Sequence, residues 1–415
     1  MVSESSWRAW EVGKLQPGDA DGERTGRQLE CRQAVDLHAF SIARAVVVVG
    51  SLCLVHAGWS QAGESSQARP SVPPLVVTLS DIELSAMEFE SICGLPAETL
   101  SISGATIPSQ AWHHLARMES LRVLGITNTS LEDEAVTAIG SLGNLRRLQL
   151  SRTRYPEGGW QSLLSTLRER SIDWSPLSGL NKLERLRVNF GRWDDDAVEA
   201  LGQLTALQSL ILPEAYISER GARALGNLHR LELLSIAEGT IDDAHLEHLD
   251  GLHDLERLTL PKSRVTGAGL AALAGLDELA EVDLTGSRVD DAGMAGVGEL
   301  PSLARLQLRD TSVTGAGLRH LKGCVNLVRL DLSSTAVGDD GVESLVALKS
   351  LEHLALRGTR LSDEGLAQLT ALPSLRRLSI VETAVSEAGA AAFQEVRPDV
   401  ELFSGASSIE PSQHD

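Results

Sequence analysis

Aromatic residues are scarce in this chain. They make up 3% of its 415 residues, although 42% of the residues are hydrophobic. A compact core usually takes much of its volume from Phe, Tyr and Trp. Leucine must fill the interior instead, which favours thin repeated layers over one globular core.

Cysteine is also rare and occurs at Cys31, Cys53, Cys93 and Cys324. So few cysteines in so long a chain do not indicate a disulfide framework, and no CxxC pair indicates a zinc or redox site. Cys93 and Cys324 lie about nine repeats apart in the pattern described below, so we expect both thiols to be free. Cys324 takes a leucine position and is expected to be a small core residue.

The chain has fewer basic than acidic residues, and it lacks the common catalytic motifs. The formal net charge is −20, which gives no general attraction for nucleic acid or anionic lipid. No nucleophile elbow, P-loop, HExxH or GxGxxG motif is present. We therefore expect no nucleic-acid ligand, no cofactor and no enzymatic activity.

The N-terminal region contains one apolar run, AVVVVGSLCLV, from Ala45 to Val55. The run is too short to span a bilayer but fits the apolar core of a signal peptide that is cleaved after Ala57. Because the polar residues 1–40 precede it, three alternatives stay open: a true start near Val35, a single-pass anchor, or a buried or disordered stretch. We expect residues 1–57 to target the chain for export and 58–74 to form a linker.

A repeat of 24 residues dominates the rest of the chain. Segments that start at Leu255, Leu279, Leu303, Leu327 and Leu351 share the pattern LxxLxLxxTxVxxxGLxxLxxLxx. LxxLxL predicts a short strand, the small residue after it predicts a turn, and GLxxLxxL has helical spacing. The register begins at Ala97, after a degenerate unit at 75–96, and continues past Leu375, which gives about twelve units.

This pattern resembles the leucine-rich-repeat family, in its ribonuclease-inhibitor-like type, and is similar to secreted repeat proteins of bacteria such as planctomycetes. The resemblance covers nearly all residues from Ala97 to Phe403. It implies an α/β leucine-rich-repeat solenoid (horseshoe) over residues 75–403, with a parallel sheet on the concave face and helices on the convex face. We expect residues 404–415 to be a disordered tail.

One unit departs from the period, because 38 residues separate Leu145 from Leu183. The insert near 167–180 has two interpretations. It is either an array-ending strand with a restart at Pro176, where Trp160, Trp174 and Trp193 pack around the joint, or a plain surface loop.

Acidic and histidine clusters invite a metal interpretation. Acidic pairs come just before the helices, where carboxylates cap free N–H groups, so we predict capping and not calcium binding. The residues concerned are Asp194, Asp195, Asp196, Asp242, Asp243, Asp290, Asp291, Asp339, Asp340, Asp363 and Glu364. His245 and His248 have a spacing that can bind zinc, but we favour a solvated helix face.

The outward strand positions are rich in arginine, although the chain is acidic overall. Stacked arginines repel one another unless an anionic group lies between them, so we predict a protein partner with an acidic surface. The alternative is an internal lattice of ion pairs with Glu281, Asp283 and Asp331 and with the flanking Glu256 and Glu352. Ile211 and Leu233, with Pro213 and Ala237, offer an apolar anchor. The predicted partner-binding residues are Arg147, Arg185, Arg187, Arg257, Arg305, Arg309, Arg329, Arg357, Arg377, Ile211 and Leu233.

Three functions compete on the sequence alone. The favoured one is an exported, monomeric protein-binding scaffold that is secreted, periplasmic or on the cell surface. The second is a cytoplasmic substrate adaptor that resembles the repeat half of F-box ubiquitin-ligase proteins, but residues 1–74 do not resemble an F-box module. The third is a repeat-fused enzyme, which needs a catalytic domain beyond the array.

Overall fold

The computed structural model describes residues 74–151, 172–213 and 215–405. All the strands and helices given below belong to one compact unit. Its described strands make one parallel sheet of 14 strands in the order of the sequence. They are β1 (Val76–Ser80), β2 (Thr99–Ser103), β3 (Val123–Thr127), β4 (Arg147–Ser151), β5 (Arg185–Val188), β6 (Ser209–Leu212), β7 (Leu233–Ile236), β8 (Arg257–Thr259), β9 (Glu281–Asp283), β10 (Arg305–Gln307), β11 (Arg329–Asp331), β12 (His353–Ala355), β13 (Arg377–Ser379) and β14 (Glu401–Phe403).

Equivalent positions of the repeat pair across neighbouring strands. Leu306 pairs with Leu330, which pairs with Leu354, and all three are at most 3% exposed. Burial of each leucine contributes about 1.5–3 kcal/mol, which no single repeat could obtain alone. Alternate strand residues point away from the helices and form the open face of the sheet, the side opposite the helical layer. The predicted fold class, an α/β solenoid, is confirmed.

The helical layer consists of short segments. Its described α-helices are Ala86–Cys93, Asp133–Gly140, Asp195–Leu201, Glu219–Gly226, Asp243–Leu246, Met294–Gly298, Val342–Val346, Asp363–Leu369 and Glu387–Val396. Its described 3₁₀ helices are Ser109–Arg117, Ser175–Gly179, Glu247–Leu249, Ala268–Leu273, Gly317–Gly323 and Asp339–Gly341. The predicted spacing is confirmed, since Leu270 and Leu273 are buried, but the helix ends before the third leucine of the pattern, Leu276. No helix in the described ranges is both long and apolar enough to span a bilayer.

A left-handed residue ends the strand segment of most repeats. Asp310 has φ 56° and Ser334 has φ 58°. The next residue is the recurrent small one of the pattern, and the hydroxyl of Thr311 donates to the Leu308 carbonyl at 2.6 Å. Thr335, Thr359 and Thr383 make the same bond, which satisfies a buried backbone oxygen at the turn, whereas Ser263 and Ser287 at this position have no partner among the described residues.

The acidic clusters have two structural roles: capping of a helical segment and hydrogen bonding to the next repeat. Asp194, Asp242 and Asp290 accept hydrogen bonds from N–H groups at the start of their own helical segments, as predicted. One carboxylate of each acidic cluster binds the next repeat instead of its own helix. Asp291, for example, accepts from the N–H of Thr314 at 2.8 Å and from its hydroxyl at 2.6 Å. Asp195 and Asp243 still cap, because they accept from the N–H groups of Gly221 and Gly269 in the first turn of the following helical segment.

This inter-repeat bond recurs through the array with constant spacing. The carboxylate accepts from the backbone and hydroxyl of a Ser or Thr 23 residues later. The pairs are Asp195 with Ser218, Asp243 with Thr266, Asp291 with Thr314, Asp339 with Ser362 and Asp363 with Ser386. The hydrogen bonds from Ser386 lower the pKa of the Asp363 carboxyl below its usual value.

The glycine that recurs in the pattern leaves space for this carboxylate. A Cβ on Gly317 would lie 2.5 Å from Asp291 Oδ1, and one on Gly221 would lie 2.7 Å from Asp195 Oδ1. Real side chains do not approach this closely, so a glycine stands where the previous repeat inserts its carboxylate.

The long repeat leaves the sheet unbroken. β4 pairs directly with β5, with Arg147 opposite Arg185. Residues 152–171 lie outside the described ranges. After them the helix Ser175–Gly179 takes the usual place in the helical layer, with Leu177 and Leu180 buried. Among the described residues no strand lies between β4 and β5, so the array-ending strand is not found in that part of the chain.

Two tryptophans pack beside this connection. The rings of Trp174 and Trp193 stack with centroids 4.6 Å apart and an interplanar angle of 17°, and both are buried. This part of the predicted aromatic joint is confirmed, whereas Trp160 lies outside the described residues. Gly191, at φ 89°, passes close to the Trp174 ring, where an added Cβ would lie 3.1 Å from a ring carbon.

Arg397 closes the last helical turns of the array. Its guanidinium donates to the carbonyls of Thr370, Leu372 and Leu375 at 2.6–3.1 Å and forms two bonds to Asp399. Only 13% of its side chain is exposed. Arg397 thus satisfies three backbone acceptors near the last described strand of the sheet.

Cys93 and Cys324 are buried free cysteines, as predicted. Burial raises the pKa of Cys93 to about 12 and that of Cys324 to about 11. Both thiols therefore stay protonated near neutral pH and behave as small core residues.

Candidate binding face of the sheet

Two rows of side chains run along the open face, one from each outward position of the strands. The first outward position forms the leading row: Val76, Thr99, Val123, Arg147, Arg185, Ser209, Leu233, Arg257, Glu281, Arg305, Arg329, His353, Arg377 and Glu401. The second row lies two residues further on and includes Arg187, Ile211, Asp283, Asp331, Ala355 and Ser379. The register assumed for the sequence is thus the register of the structure.

The structure places the predicted site residues along this face without gathering them at one point. Leading-row arginines occur at β4, β5, β8, β10, β11 and β13. Arg309 and Arg357 lie two residues beyond β10 and β12, at the margin of the same face. The arrangement is an extended surface and not a pocket.

Carboxylates pair with several of these arginines. Arg305 lies 3.2 Å from Glu281, and Arg377 lies 2.9 Å from Glu401. Arg357 binds Glu382 at 2.8 Å. The lattice interpretation therefore describes part of the C-terminal half of the face. These pairs are solvent-exposed and each is worth about 0.2–1 kcal/mol, so a partner can displace them.

The N-terminal half of the face has a different character. Arg147 and Arg185 are neighbours in the leading row, Arg187 faces Ile211 in the second row, and no outward position of β1 to β7 carries a carboxylate. Burial lowers the pKa of the Arg187 guanidinium. Ile211 and Leu233 are half-buried beside this group, so the predicted apolar anchor and the arginines are adjacent.

An acidic group occupies the second row between the arginines of β8 to β11. Burial raises the pKa of the Asp283 carboxyl, hydrogen bonds from Thr285 oppose this, and the charges of Glu281 and Asp331 add to the rise. The C-terminal half of the face thus alternates between cationic and anionic side chains.

The prediction of a solvated helix face is wrong for His245, whereas His248 is half-buried and His253 is exposed. His245 is 9% exposed, and its two ring nitrogens lie 2.6 Å from Asp242 Oδ1 and 3.2 Å from the Ile217 carbonyl oxygen of the preceding repeat. In the part of the chain that the structure describes, no group of three or more His, Cys, Asp or Glu side chains is placed to hold a metal.

Depressions in the described surface are open. One lies between helices around Val346 and Ala371, and another lies at the edge of the sheet around Arg122, Arg146 and Lys182. Neither has the enclosed, largely apolar form that small-molecule sites usually take.

Sequence reasoning missed the inter-repeat carboxylates, the Arg397 cap and the buried state of His245. A signal for the first was present. Asp recurs with Ser or Thr 23 residues later and Gly 26 residues later, as at Asp195, Ser218 and Gly221. When residues of one repeat recur together with particular residues of the next, this joint recurrence indicates a contact between the two repeats.

Comparisons with known proteins agree with this architecture. Residues 323–346 and 347–369 each match the family model described as Leucine Rich repeat. An internalin from Listeria monocytogenes is similar in structure, with a TM-score of 0.54 and 21% identity over 74% of this chain and 86% of that chain. A leucine-rich-repeat protein from Leptospira interrogans has a TM-score of 0.50 and 17% identity over 75% of this chain and 80% of its own.

A comparison with curated proteins gives no match. The findings do not separate the ribonuclease-inhibitor-like type from other types of repeat. The matched repeats, the parallel sheet in the order of the sequence and the similar solved structures show that the described chain folds as a leucine-rich-repeat solenoid.

Proposed function

We propose that this protein is a non-catalytic scaffold that binds a protein partner with an acidic surface on the open face of its sheet. The observation that carries this proposal is the leading row, in which Arg147, Arg185, Arg257, Arg305 and Arg377 are exposed on a chain of net charge −20. Solenoids commonly bind partners along such extended surfaces. Guanidinium groups suit carboxylates because they can form two parallel hydrogen bonds.

The N-terminal half supplies the apolar part of the interface. Ile211 and Leu233 lie next to Arg185 and Arg187, so an apolar side chain of the partner can be buried while its carboxylates meet the arginines. Interfaces gain most of their affinity from a few such buried anchors surrounded by polar contacts. The exposed ion pairs of the C-terminal half can be exchanged for pairs with the partner at little cost.

Charge reversal tests the proposal. The double variant Arg305→Glu/Arg329→Glu changes two neighbouring arginines of the leading row, on β10 and β11. The matched control Arg319→Glu/Lys322→Glu changes two cations of the helix Gly317–Gly323, in the helical layer. Partners captured by the wild-type protein from an extract of the source organism are identified by mass spectrometry.

We expect the control to retain the partners of the wild-type protein and the leading-row variant to lose them. Capture of the same partners by the leading-row variant would refute the proposal. Circular dichroism of both variants shows whether the fold is kept.

We also propose export, on the basis of the apolar run from Ala45 to Val55. Mass spectrometry of the mature N-terminus tests it. A chain that begins after Ala57 supports export, whereas an intact N-terminus in the cytoplasm supports the adaptor alternative.

A further inference from the structure

Three neighbouring strands near the C-terminal end of the face carry a basic triad in the leading row. Arg329 of β11 pairs with His353 of β12, which pairs with Arg377 of β13. Adjacent strands lie about 4.8 Å apart, so the imidazole stands between two guanidinium groups within reach of a single ligand. The second-row residues beside the triad, Ala355 and Ser379, have small side chains and leave space next to it.

Two polar atoms at this point are buried and lack a hydrogen-bond partner among the described residues. They are His353 Nδ1 and Ser379 Oγ. Such atoms are uncommon in folded proteins, because each loses its bonds to water without gaining others. Neither atom is exposed to solvent, so a ligand of the triad would bind through the guanidinium groups and the rest of the imidazole.

The charges around His353 come from every neighbouring strand. Arg329 and Asp331 lie on β11, Arg377 lies on β13, and Arg376 and Glu352 come just before β13 and β12. Burial lowers the pKa of His353 first, then Arg329 and Arg377 lower it further, and Arg376 also lowers it while Glu352 raises it. The imidazole is therefore neutral at pH 7.5 in the free protein. Glu401 binds Arg377 at 2.9 Å on the far side of the triad.

We propose that Arg329, His353 and Arg377 bind a carboxylate of an acidic peptide segment, and that protonation of His353 strengthens this binding. The inference rests on the proposed function, since it names one site on the open face and the regulation of that site. At neutral pH the two arginines bind the carboxylate. As the pH falls, the imidazolium adds a third positive charge between them.

Linkage gives the direction of the effect. A carboxylate placed over the triad favours the charged form of His353, so binding must raise the pKa of this histidine. Reciprocally, proton uptake must increase the affinity for the peptide by the same factor. A gain of about tenfold in affinity corresponds to one pKa unit of coupling.

The experiment uses the full chain and a fluorescein-labelled hexaglutamate peptide at constant ionic strength, at pH 7.5 and pH 5.5. Model glutamate titrates near pKa ~4.3, so the peptide stays ionised at both pH values. His353→Gln removes the titrating group. His253→Gln is the matched control, because His253 is exposed and lies outside the sheet.

We expect the wild-type protein and His253→Gln to bind about tenfold more tightly at pH 5.5, and His353→Gln to change less than about twofold. In an NMR titration, saturating peptide should raise the pKa of His353. A pH dependence that persists in His353→Gln, or binding by the wild-type protein that is equal at both pH values, would overturn the inference. The proposed function fails separately, when the double variant Arg305→Glu/Arg329→Glu still captures every partner.

Discussion

Asp291 illustrates how one side chain joins two repeats. Its carboxylate accepts the N–H and the hydroxyl of Thr314, and Gly317 leaves space for it. A hydrogen bond to an ionised group typically contributes about 1.5–3 kcal/mol to the free energy of unfolding. The same geometry recurs along the array, so this bond belongs to the stacking interface and not to any single repeat.

We therefore predict that Asp291→Ala lowers the free energy of unfolding by about 2–3 kcal/mol, because the Thr314 N–H loses its charged acceptor. Urea unfolding followed by circular dichroism measures it. Asp291→Asn should cost less, since one amide oxygen can still accept that N–H. An alanine variant as stable as the wild-type protein would show that the carboxylate is not structural.

Gly317→Ala should also destabilise the protein, by about 1–3 kcal/mol, because the new methyl group meets the carboxylate. Gly275→Ala is the matched control, since nothing lies within 4 Å of a Cβ built there. In the double variant Asp291→Ala/Gly317→Ala the two costs should be less than additive. Strict additivity would mean that the glycine serves another purpose.

His353 gives the protein a pH dependence of its own. Its pKa is lowered from 6.5 in the folded state. As the pH falls below 6.5 the unfolded chain binds a proton that the folded chain does not, so stability decreases until the lowered pKa is reached. We predict that Tm falls more between pH 7.5 and 5.5 for the wild-type protein than for His353→Gln. An equal fall in both proteins would contradict the assigned cause.

At the scale of the element, the end of the array depends on a side chain that no repeat pattern predicts. Arg397 follows the helix Glu387–Val396 and bonds three carbonyl groups of the preceding repeat. The guanidinium that satisfies these groups is itself held in place by two hydrogen bonds to Asp399.

Arg397→Ala should lower the free energy of unfolding by about 3 kcal/mol, because several buried carbonyls and Asp399 lose their donor. Arg376→Ala is the control: its pair with Glu352 is exposed and long at 3.8 Å, and its loss should cost less than about 1 kcal/mol. Hydrogen exchange should accelerate at β13 and β14 in Arg397→Ala and stay unchanged at β2 to β6. Uniform acceleration across the sheet would argue against a local cap.

Strands were more predictable than helices, for a physical reason. The strand register follows from the 24-residue period, so every leading-row residue named from the sequence has its place in the sheet. The helices are short, and their ends do not follow from the leucine spacing: the segment that starts at Ala268 ends at Leu273, before Leu276. The direct pairing of β4 with β5 could not be predicted either, because the period is interrupted between them.

At the scale of the whole molecule, the sequence predicted which residues share the open face but not how their charges are balanced. Ion pairs such as Arg305 with Glu281 depend on the rotamers of long side chains, which repeat spacing does not determine. The difference between the two halves of the face became visible only with the structure. It places the apolar anchor and three arginines at β4 to β7, and the basic triad at β11 to β13.

Both proposals depend on one continuous sheet whose open face is accessible. Distance measurements by pulsed electron paramagnetic resonance test this arrangement most directly. A spin label at position 209 would be paired in turn with labels at 305, 329 and 353. Cys31 and Cys53 are replaced by serine, and Cys93 and Cys324 should stay unlabelled, since burial raises their pKa values to about 12 and about 11. We predict distances that increase by roughly 4.8 Å per strand, near 19, 24 and 29 Å. Distances that fail to increase in this order, or labels immobilised in an interior, would contradict the account.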